Sequence, residues 1–507
     1  MKKFPTVFPY AASVLLGLLT PLTFAPYYQF WLMPLIFAAF VLLLQNRLKT
    51  AVRLAYLFGL SAYTAQFYWI DTALHDIAGL PQIYALPLTL LLPAYLALFP
   101  ASAVWLWRKS GATQFSDGLR NIAALPVFWT LAEFARERLL TGFGWGALGY
   151  SQIADHSPLA GFAALGGIHL LTFATALAGS LLANMYTDRL RLPLYAVCTL
   201  ALGIIGFAAK QYDFTQPTGR SSSVALAQGN IAQSLKFDAE AFWPTVGRYF
   251  KQTADSRADI VVLPETAIPV FQQDLPPDLL PEFAERAAQN GSALAIGIVR
   301  YSNPGRTGYH NAMLLADNRL PPENWQFYAK NHLVPFGEYK PLNTLTEPLY
   351  RLMNIPLADF QRGGAAQAPF DMKGQKVAFN ICYEDGFGDE LIASARQSTL
   401  LANASNMAWY GKSNAMYQQL QQSQARALEL GRYMIRATNT GLTAVIDNKG
   451  RITAALPPNT AAVLHGTVQG FGGQTPYMML GGSLPCVVLL AFAAVCLLLR
   501  RNKPKNP

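Results

Sequence analysis

Three polar side chains in the middle of the chain stand at the ends of predicted strands and could together carry out nucleophilic chemistry. Glu265 follows the apolar run 261–264, Lys330 lies at the start of the segment 330–339, and Cys382 follows the run 377–381. Cys382 is also the only cysteine of the middle region, because the chain's other three lie in long apolar runs, where cysteine is an ordinary small apolar residue: Cys198, Cys486 and Cys496. A lone thiol with no disulfide partner indicates either a chemical role or an inert buried side chain.

A thiol, an ammonium and a carboxylate supply the parts of an activated nucleophile. A free thiol has a pKa of about 8.5 and is only a few per cent thiolate at neutral pH. We expect the ammonium of Lys330 to lower that pKa and the carboxylate of Glu265 to take the proton. Such a thiolate attacks a carbonyl, and Lys330 with the backbone N–H of Tyr383 would stabilise the oxyanion. The product, a thioester, can pass its acyl group on without ATP.

The elements that must position these residues form an α/β pattern. Short apolar runs predict six buried strands: 223–228, 259–263, 293–299, 312–315, 377–381 and 400–402. The segments between them predict helices, which are 242–254, 279–290 with Gly291 as its C-cap, 388–395 and 416–430. Continuous apolar strands interleaved with helices indicate a layered α/β domain covered on both faces. About 250 residues are ample for one such core.

The remainder of the chain has the composition of a membrane protein. Only 13% of the 507 residues are charged and 52% are hydrophobic, which excludes a disordered chain. The net charge of +10 does not indicate a nucleic-acid partner, because many of the basic residues cluster between apolar runs. We therefore expect a membrane domain over 1–212, a catalytic domain over 213–475, and a last span with a basic tail over 476–507.

Eight apolar stretches are candidates to span a bilayer, which takes roughly 20 helical residues. They are 7–24, 27–45, 54–70, 83–107, 122–140, 162–186, 192–209 and 478–499. Basic residues follow the second, fourth, sixth and last stretches, including Arg47, Arg108, Arg189 and Arg500. The loops 71–81 and 141–158, in contrast, contain no Lys or Arg. The positive-inside rule then predicts a cytoplasmic N-terminus and places the middle domain outside.

Some polar features in this sequence have two interpretations. The charges of the fifth stretch, Glu133, Arg136, Glu137 and Arg138, either line a polar path or pair locally at a helix end, and local pairing is favoured. The run 144–149 matches G-x-G-x-x-G but lacks the preceding strand that a dinucleotide site needs. His332, beside Lys330, is predicted to be a packing or hydrogen-bonding residue rather than a catalytic base.

The order Pro-Glu265, Lys330 and Cys382-Tyr-Glu resembles the nitrilase superfamily. The chain further resembles the apolipoprotein N-acyltransferase family, the membrane-embedded branch of that superfamily. This resemblance is carried by the long flanking spans and by five segments: 141–145, 148–152, 228–237, 331–339 and 409–413. It covers nearly the whole chain and implies eight transmembrane helices with an exported α-β-β-α sandwich.

The resemblance also implies roles for individual residues. Cys382 would be the nucleophile, Glu265 the general base and Lys330 the oxyanion stabiliser. The supporting residues would be Glu338, Tyr383, Glu384, Phe237 and Asn311. The family often has Trp where this chain has Phe237, and often Asp where it has Met407, so both departures put substrate positioning in question.

The substrates implied are lipids. The acyl donor would be a phospholipid, typically phosphatidylethanolamine, and the acceptor the α-amino group of an S-diacylglyceryl-cysteine at the N-terminus of an apolipoprotein. No cofactor, metal or nucleic acid is implied. The protein would be a multi-pass monomer of the bacterial inner membrane, with its catalytic domain on the periplasmic side.

Other hypotheses remain open at the level of sequence. The apolar segment 350–364 is either a covering loop or a lid that admits acyl chains. The chain as a whole could instead be a membrane-anchored amidase of the same superfamily, or a transporter with an exported binding domain. Eight spans argue against the amidase, since one anchor would suffice, and a transporter would have no need of Cys382.

Overall fold

The computed structural model describes residues 7–110, 122, 124–341, 344, 347, 350 and 359–498. These residues form two compact units. The first takes in the described residues up to 68, from 86 to 212 and from 479 onward, and the second takes in 69–85 and 213–478. The segment 69–85, which the sequence analysis placed in the membrane domain, therefore groups with the α/β unit.

The first unit is helical. Its helices are Phe8–Leu19, Leu32–Asn46, Ala51–Gln66, Leu98–Lys109, Leu125–Arg138, Phe162–Thr187, Leu192–Gln211 and Ser483–Leu498, while Gln82–Leu96 and Pro476–Leu480 each straddle a unit boundary. Among the described residues, three helical stretches are long and apolar enough to cross a membrane: Gln82–Lys109, Phe162–Thr187 and Arg189–Gln211. Phe8–Thr23, Leu32–Asn46 and Ser483–Ala494 are shorter apolar helices. The count of eight spans thus stays a prediction.

Charged side chains of helix Leu125–Arg138 are held inside the helical unit. Glu137 and Arg138 pair at 3.5 Å, which is the local pairing that was favoured, whereas Glu133 and Arg136 bond to backbone and hydroxyl groups. The carboxylate of Glu133 accepts hydrogen bonds from the backbone N–H of Leu148 at 2.9 and 3.0 Å and from the hydroxyl of Thr172 at 2.8 Å. The guanidinium of Arg136 donates to the carbonyl of Trp145 at 2.8 Å. The segment 144–149 therefore follows a helix and is held by it, so its glycines do not form a dinucleotide loop.

The second unit is a sandwich of two β-sheets. The strands are β1 Thr215–Gln228, β2 Ile260–Val262, β3 Ile268–Phe271, β4 Ala293–Tyr301, β5 Tyr309–Ala316, β6 Phe327–Ala329, β7 Phe370–Met372, β8 Gln375–Ile381, β9 Leu400–Ser405, β10 Tyr433–Thr438, β11 Ala444–Ile446, β12 Ile452–Ala455 and β13 Ala462–Gly473. One sheet has the order β13-β1-β2-β4-β5-β6, with β3 also paired to β4, and the other has the order β12-β11-β10-β9-β8-β7. The central strands β1-β2-β4 and β8-β9-β10 run parallel.

Helices cover the outer face of each sheet, so the unit has four layers, α-β-β-α. Buried side chains of both sheets meet in one core, which includes Leu226, Val262, Phe379 and Ile435. Helices Ala239–Ala254 and Leu279–Gln289 pack on the first sheet, and Gly388–Ala395 and Ala415–Leu430 pack on the second. The predicted strands and helices all exist, and Gly291 ends its helix with a φ of +74°. The layered α/β prediction is confirmed, although strands β3, β6, β7 and β10–β13 were not predicted.

Candidate active site

Cys382 lies at a sharp turn between the end of β8 and a short 3-10 helix, Cys382–Gly386. Its φ of +55° is in the left-handed region, which costs a residue with a side chain of order 1–3 kcal/mol unless its surroundings enforce it. The surroundings here are polar and buried. The amide of Asn403 donates to the carbonyl of Cys382 at 3.3 Å, and the amide of Gln419 donates to its Sγ at 3.6 Å. The strained turn therefore presents a fixed thiol.

Glu265 follows β2 after two further residues, and its carboxylate is buried in a set of donors. One oxygen, Oε1, accepts from the amide of Asn311 at 2.7 Å and lies 3.5 Å from Nζ of Lys330. The other, Oε2, accepts from the backbone N–H of Asn406 at 2.8 Å. These contacts fix the orientation of the carboxylate.

Lys330 directly follows β6, and its side chain is 1% exposed. Its ammonium lies 2.9 Å from the carboxylate of Glu338, which also accepts from Asn311 and from the backbone N–H of Val334. Burial alone would lower the pKa of Lys330, but the carboxylates of Glu338 and Glu265 outweigh it and raise the pKa above its ordinary range. The side chain is therefore a permanent ammonium.

The thiol of Cys382 has a pKa raised to about 11, chiefly by burial and then by the nearby charge of Glu265. Lys330 and a hydrogen bond from Ser405 lower it, but by less. The expected effect of the ammonium is therefore present, but burial and the carboxylate of Glu265 outweigh it and the pKa is raised. At neutral pH the resting side chain is a protonated thiol, which needs a base to become a nucleophile.

Two of the predicted supporting residues, Asn311 and Glu338, thus contact Glu265 or Lys330 directly. Glu384 acts through the backbone: its carboxylate accepts from the N–H groups of Asn331, His332 and Ile381 and from the hydroxyl of Tyr328. It links the residues around Lys330 to those around Cys382. Burial raises the pKa of Glu384 to about 7 against the opposing effect of these donors.

Tyr383 and Phe237 are placed differently. Tyr383 is buried next to the nucleophile, with its ring against Phe387. Phe237 follows the buried Lys236 directly and is itself 41% exposed. Ring nitrogen Nδ1 of His332 forms a hydrogen bond with the carboxylate of Glu390 at 2.8 Å, and its ring stacks on Phe387 with the centroids 3.5 Å apart. Both contacts fit its predicted packing and hydrogen-bonding role.

The structure adds residues that the sequence analysis missed. Lys236 is buried and its ammonium donates to the backbone carbonyl of Glu265 at 3.1 Å. Gln419 and Asn403 hold Cys382, and Arg436 contacts both of them. The one sequence signal was helix Ala415–Leu430, which carries many glutamines on faces that are all buried in the structure. Among the described residues, no group of three His, Cys, Asp or Glu side chains could hold a metal ion.

Met407, one of the two departures from the family pattern, is 1% exposed. It begins the short helix Met407–Tyr410 and packs against Gly441, where an added Cβ would lie 3.0 Å from its Cγ. The segment 350–364, for which a covering loop and a lid were both open, is described only at Tyr350 and from Asp359 to Gly364. Its described end is fixed, since Gly363 donates to the carbonyl of Lys330 at 3.0 Å and Phe360 to that of Glu338 at 2.9 Å.

The fold agrees with the comparisons to known proteins. A carbon-nitrogen hydrolase family model matches residues 223–477, which assigns the α/β unit to that class of catalytic domain. A model of the apolipoprotein N-acyltransferase N-terminal domain matches residues 16–181. The chain belongs to the apolipoprotein N-acyltransferase family.

Similar proteins of that name extend over nearly the whole chain. The apolipoprotein N-acyltransferase of Neisseria meningitidis serogroup B is 58% identical, over 97% of this chain and 96% of its own length. That of Chromobacterium violaceum is 49% identical, over 94% and 91%. That of Vibrio cholerae is 36% identical, over 95% of each chain.

Proposed function

We propose that this protein transfers an acyl chain from a phospholipid to the α-amino group of an N-terminal S-diacylglyceryl-cysteine, through a thioester on Cys382. The family supports the overall N-acylation. One observation carries the mechanism. The carboxylate of Glu265 and the ammonium of Lys330 are buried 3.5 Å apart, and both shift the pKa of the Cys382 thiol.

In the first half-reaction, Glu265 takes the thiol proton as Sγ of Cys382 attacks the carbonyl carbon of the sn-1 ester. The new S–C bond forms a tetrahedral oxyanion, which the ammonium of Lys330 and the N–H of Tyr383 stabilise. When the C–O bond breaks, Glu265 returns its proton to the departing oxygen, and a lysophospholipid leaves. The acyl group stays on Cys382 as a thioester.

In the second half-reaction, the neutral α-amine of the acceptor attacks the thioester carbonyl. Glu265 takes the proton that the nitrogen loses, the C–S bond breaks, and the thiolate regains a proton from Glu265. An ester and an amine have then become an alcohol and an amide, with no other reactant. The raised pKa of Cys382 supports the role of Glu265 as a base, because a thiol that is protonated at rest must lose its proton in order to attack.

We further propose that the donor is phosphatidylethanolamine and that the protein is a multi-pass monomer of the bacterial inner membrane, with the α/β unit on the periplasmic side. Both substrates are amphiphiles that stay at a bilayer surface, which favours a catalytic unit attached to apolar helices. The three span-length helices and the clustered basic residues support a membrane location.

The test is the covalent intermediate. Purified protein given phosphatidylethanolamine alone should gain the mass of one acyl chain, in an adduct labile to hydroxylamine. Cys382→Ala should abolish the adduct and Glu265→Gln should slow its formation. Lys330→Ala should suppress it by the loss of about 3–4 kcal/mol of oxyanion stabilisation. Adding a diacylated peptide should discharge the adduct onto the α-amine.

Matched variants separate these effects from general damage. Cys486→Ala, also buried, and Lys376→Ala, exposed, should form the adduct at the wild-type rate. A peptide with a blocked α-amine should leave the thioester in place. An adduct that survives Cys382→Ala, or lysophospholipid that appears only with both substrates present, would overturn the proposal. Rapid hydrolysis with no transfer to peptide would favour the amidase.

A further inference from the structure

Arg436, in the middle of β10, is completely buried behind the nucleophile. Its guanidinium faces the carboxylate of Asp385 at 3.2 Å and the hydroxyl of Ser423 at 3.0 Å. It also donates to the amide oxygen of Asn403 at 2.7 Å and to that of Gln419. A buried cation with one carboxylate and two amide partners is costly to assemble, so its position behind Cys382 calls for a reason.

Arg436 determines which way both amides point. A guanidinium only donates hydrogen bonds, so each amide must turn its oxygen toward Arg436 and its NH₂ group away. The NH₂ group of Gln419 then faces Sγ of Cys382 at 3.6 Å. The NH₂ group of Asn403 faces the backbone carbonyl of Cys382 at 3.3 Å. One cation therefore aims two donors at the same residue.

We propose that Gln419 and Asn403, oriented by Arg436, are positioning residues that hold the sulfur and the strained backbone of the nucleophile, and that Gln419 stabilises its thiolate form. Asn403 secures the left-handed conformation at Cys382. Gln419 places a polarised N–H beside the sulfur of Cys382, whose pKa Lys330 also lowers. The inference rests on the proposed function in one respect, that Cys382 is the nucleophile.

The sulfur carries negative charge twice in the proposed cycle, once as it loses its proton while attacking the ester and once when it leaves the thioester. A hydrogen bond to an anion is about twice as strong as one between neutral groups. The Gln419 donor therefore stabilises the negatively charged sulfur of both steps more than it stabilises the resting thiol. Ser405 adds to this arrangement, because its hydroxyl contacts Oε1 of Gln419 at 3.1 Å. The other charged or titratable groups that influence the thiol are Glu265, Lys330, Glu338, Lys236, Tyr410 and Arg436.

The test measures the thiol itself without any lipid. The rate at which iodoacetamide alkylates Cys382 is followed from pH 6.5 to 10, with the modified peptide quantified by mass spectrometry. Gln419→Met has nearly the same shape and no N–H donor. It should shift the profile to higher pH and slow alkylation at pH 8 about five- to tenfold, the difference expected between a hydrogen bond to an ionised group and one to a neutral group.

The matched control is Gln422→Met, on the same helix. Gln422 is equally buried, and neither its amide nitrogen nor its amide oxygen has a hydrogen-bond partner in the described structure. This variant should keep the wild-type profile. A profile unchanged in Gln419→Met, or shifted equally in Gln422→Met, would overturn the proposal.

Gln419→Glu keeps the acceptor for Arg436 and Ser405 but presents no N–H to the sulfur. It should shift the profile further than Gln419→Met, because its carboxylate adds a negative charge beside the thiol to the loss of the donor. It keeps the proposal falsifiable if Gln419→Met does not fold. A wild-type profile in Gln419→Glu would mean that Gln419 serves only to satisfy Arg436, which contradicts the proposal. Because alkylation needs no acyl transfer, a failure of the proposed function would instead appear as a missing acyl-enzyme with these shifts intact.

Discussion

At the scale of single residues, the candidate site is a balance of buried charges around a thiol. Glu265 and Cys382 could be found from sequence because each follows an apolar run, which is a local signal, whereas Lys330 stood out by the segment 330–339 that it begins. The contacts of Gln419 and Arg436 with the site could not, because they join positions far apart in the chain. The raised pKa of Cys382 was missed for a related reason, since burial is a property of the whole fold.

Lys236 gives a prediction at this scale. Burial lowers its pKa from 10.5 to about 8, against the opposing effects of Glu265 and Cys382. Below pH 8 the side chain is charged in both folded and unfolded states, so the full cost of burying it is present. Between pH 8 and 10.5 the folded state loses the proton first and the cost falls, and above 10.5 it is gone.

Lys236→Met should therefore stabilise the protein at pH 7, by on the order of 2 kcal/mol after the lost hydrogen bond to the carbonyl of Glu265 is subtracted. The gain should shrink as the pH rises toward 10. Thermal unfolding in detergent at pH 7 and 9.5 checks this, with the exposed Lys376→Met as the control. A gain that does not change with pH, or a loss at pH 7, would contradict the assigned cause.

At the scale of secondary-structure elements, sequence patterns worked where strands are short and uniformly apolar. Strands β2 and β8 were predicted almost to the residue for this reason. β10 was missed because Arg436 interrupts its apolar pattern, and β13 because its glycines and His465 suggest a loop. β1 was predicted only in its buried half, since its first residues are mostly exposed.

One connecting segment, 229–237, carries both Lys236 and the exposed Phe237, and Asn439 fixes it. The amide of Asn439 donates to the carbonyl of Ile231 at 2.8 Å and accepts from its N–H at 2.9 Å. Asn439→Ala should leave these buried backbone groups unpaired, which costs about 2–6 kcal/mol for two groups. Transfer from phospholipid should then fall more than tenfold, because the segment beside the site loosens.

Alkylation of Cys382 by iodoacetamide should change less than threefold in the same variant, since Asn439 does not contact Cys382. Both rates are measured on the same preparation, and Asn318→Ala, which removes an exposed amide, is the control. Equal losses in lipid turnover and alkylation would show that Asn439 supports the whole site rather than this segment.

At the scale of the whole molecule, composition separated a membrane part from an α/β part. Hydropathy, however, gave eight candidate spans, whereas three helical stretches among the described residues have the length and composition of a span. Helix Leu32–Asn46 begins five residues inside the stretch 27–45, and helix Ala51–Gln66 ends four residues before the stretch 54–70 does, because residues at these stretch ends form turns. The stretch 54–70 even ends beyond a unit boundary, since residues from Trp69 onward group with the α/β unit. Turns that break an apolar run leave no clear trace in hydropathy.

The topology is the remaining prediction, and it rests on the charges beside the apolar stretches. Arg189 and Arg191 precede helix Leu192–Gln211, and Asp213 follows it, so the positive-inside rule places the first end in the cytoplasm and the second outside. Leu190→Cys and Gln216→Cys, both at exposed positions, each supply a single thiol in a background without the four native cysteines.

A membrane-impermeant maleimide applied to intact spheroplasts should label Gln216→Cys and leave Leu190→Cys unmodified until the membrane is opened. Because helix Leu192–Gln211 is one of the three described stretches with the length and composition of a span, the two positions should behave oppositely. Labelling of both from the same side would mean that this helix does not cross the bilayer. The predicted arrangement of seven spans before the α/β unit and one after it would then fail. Labelling with the two sides reversed would place the Cys382 unit in the cytoplasm, contrary to the proposed location.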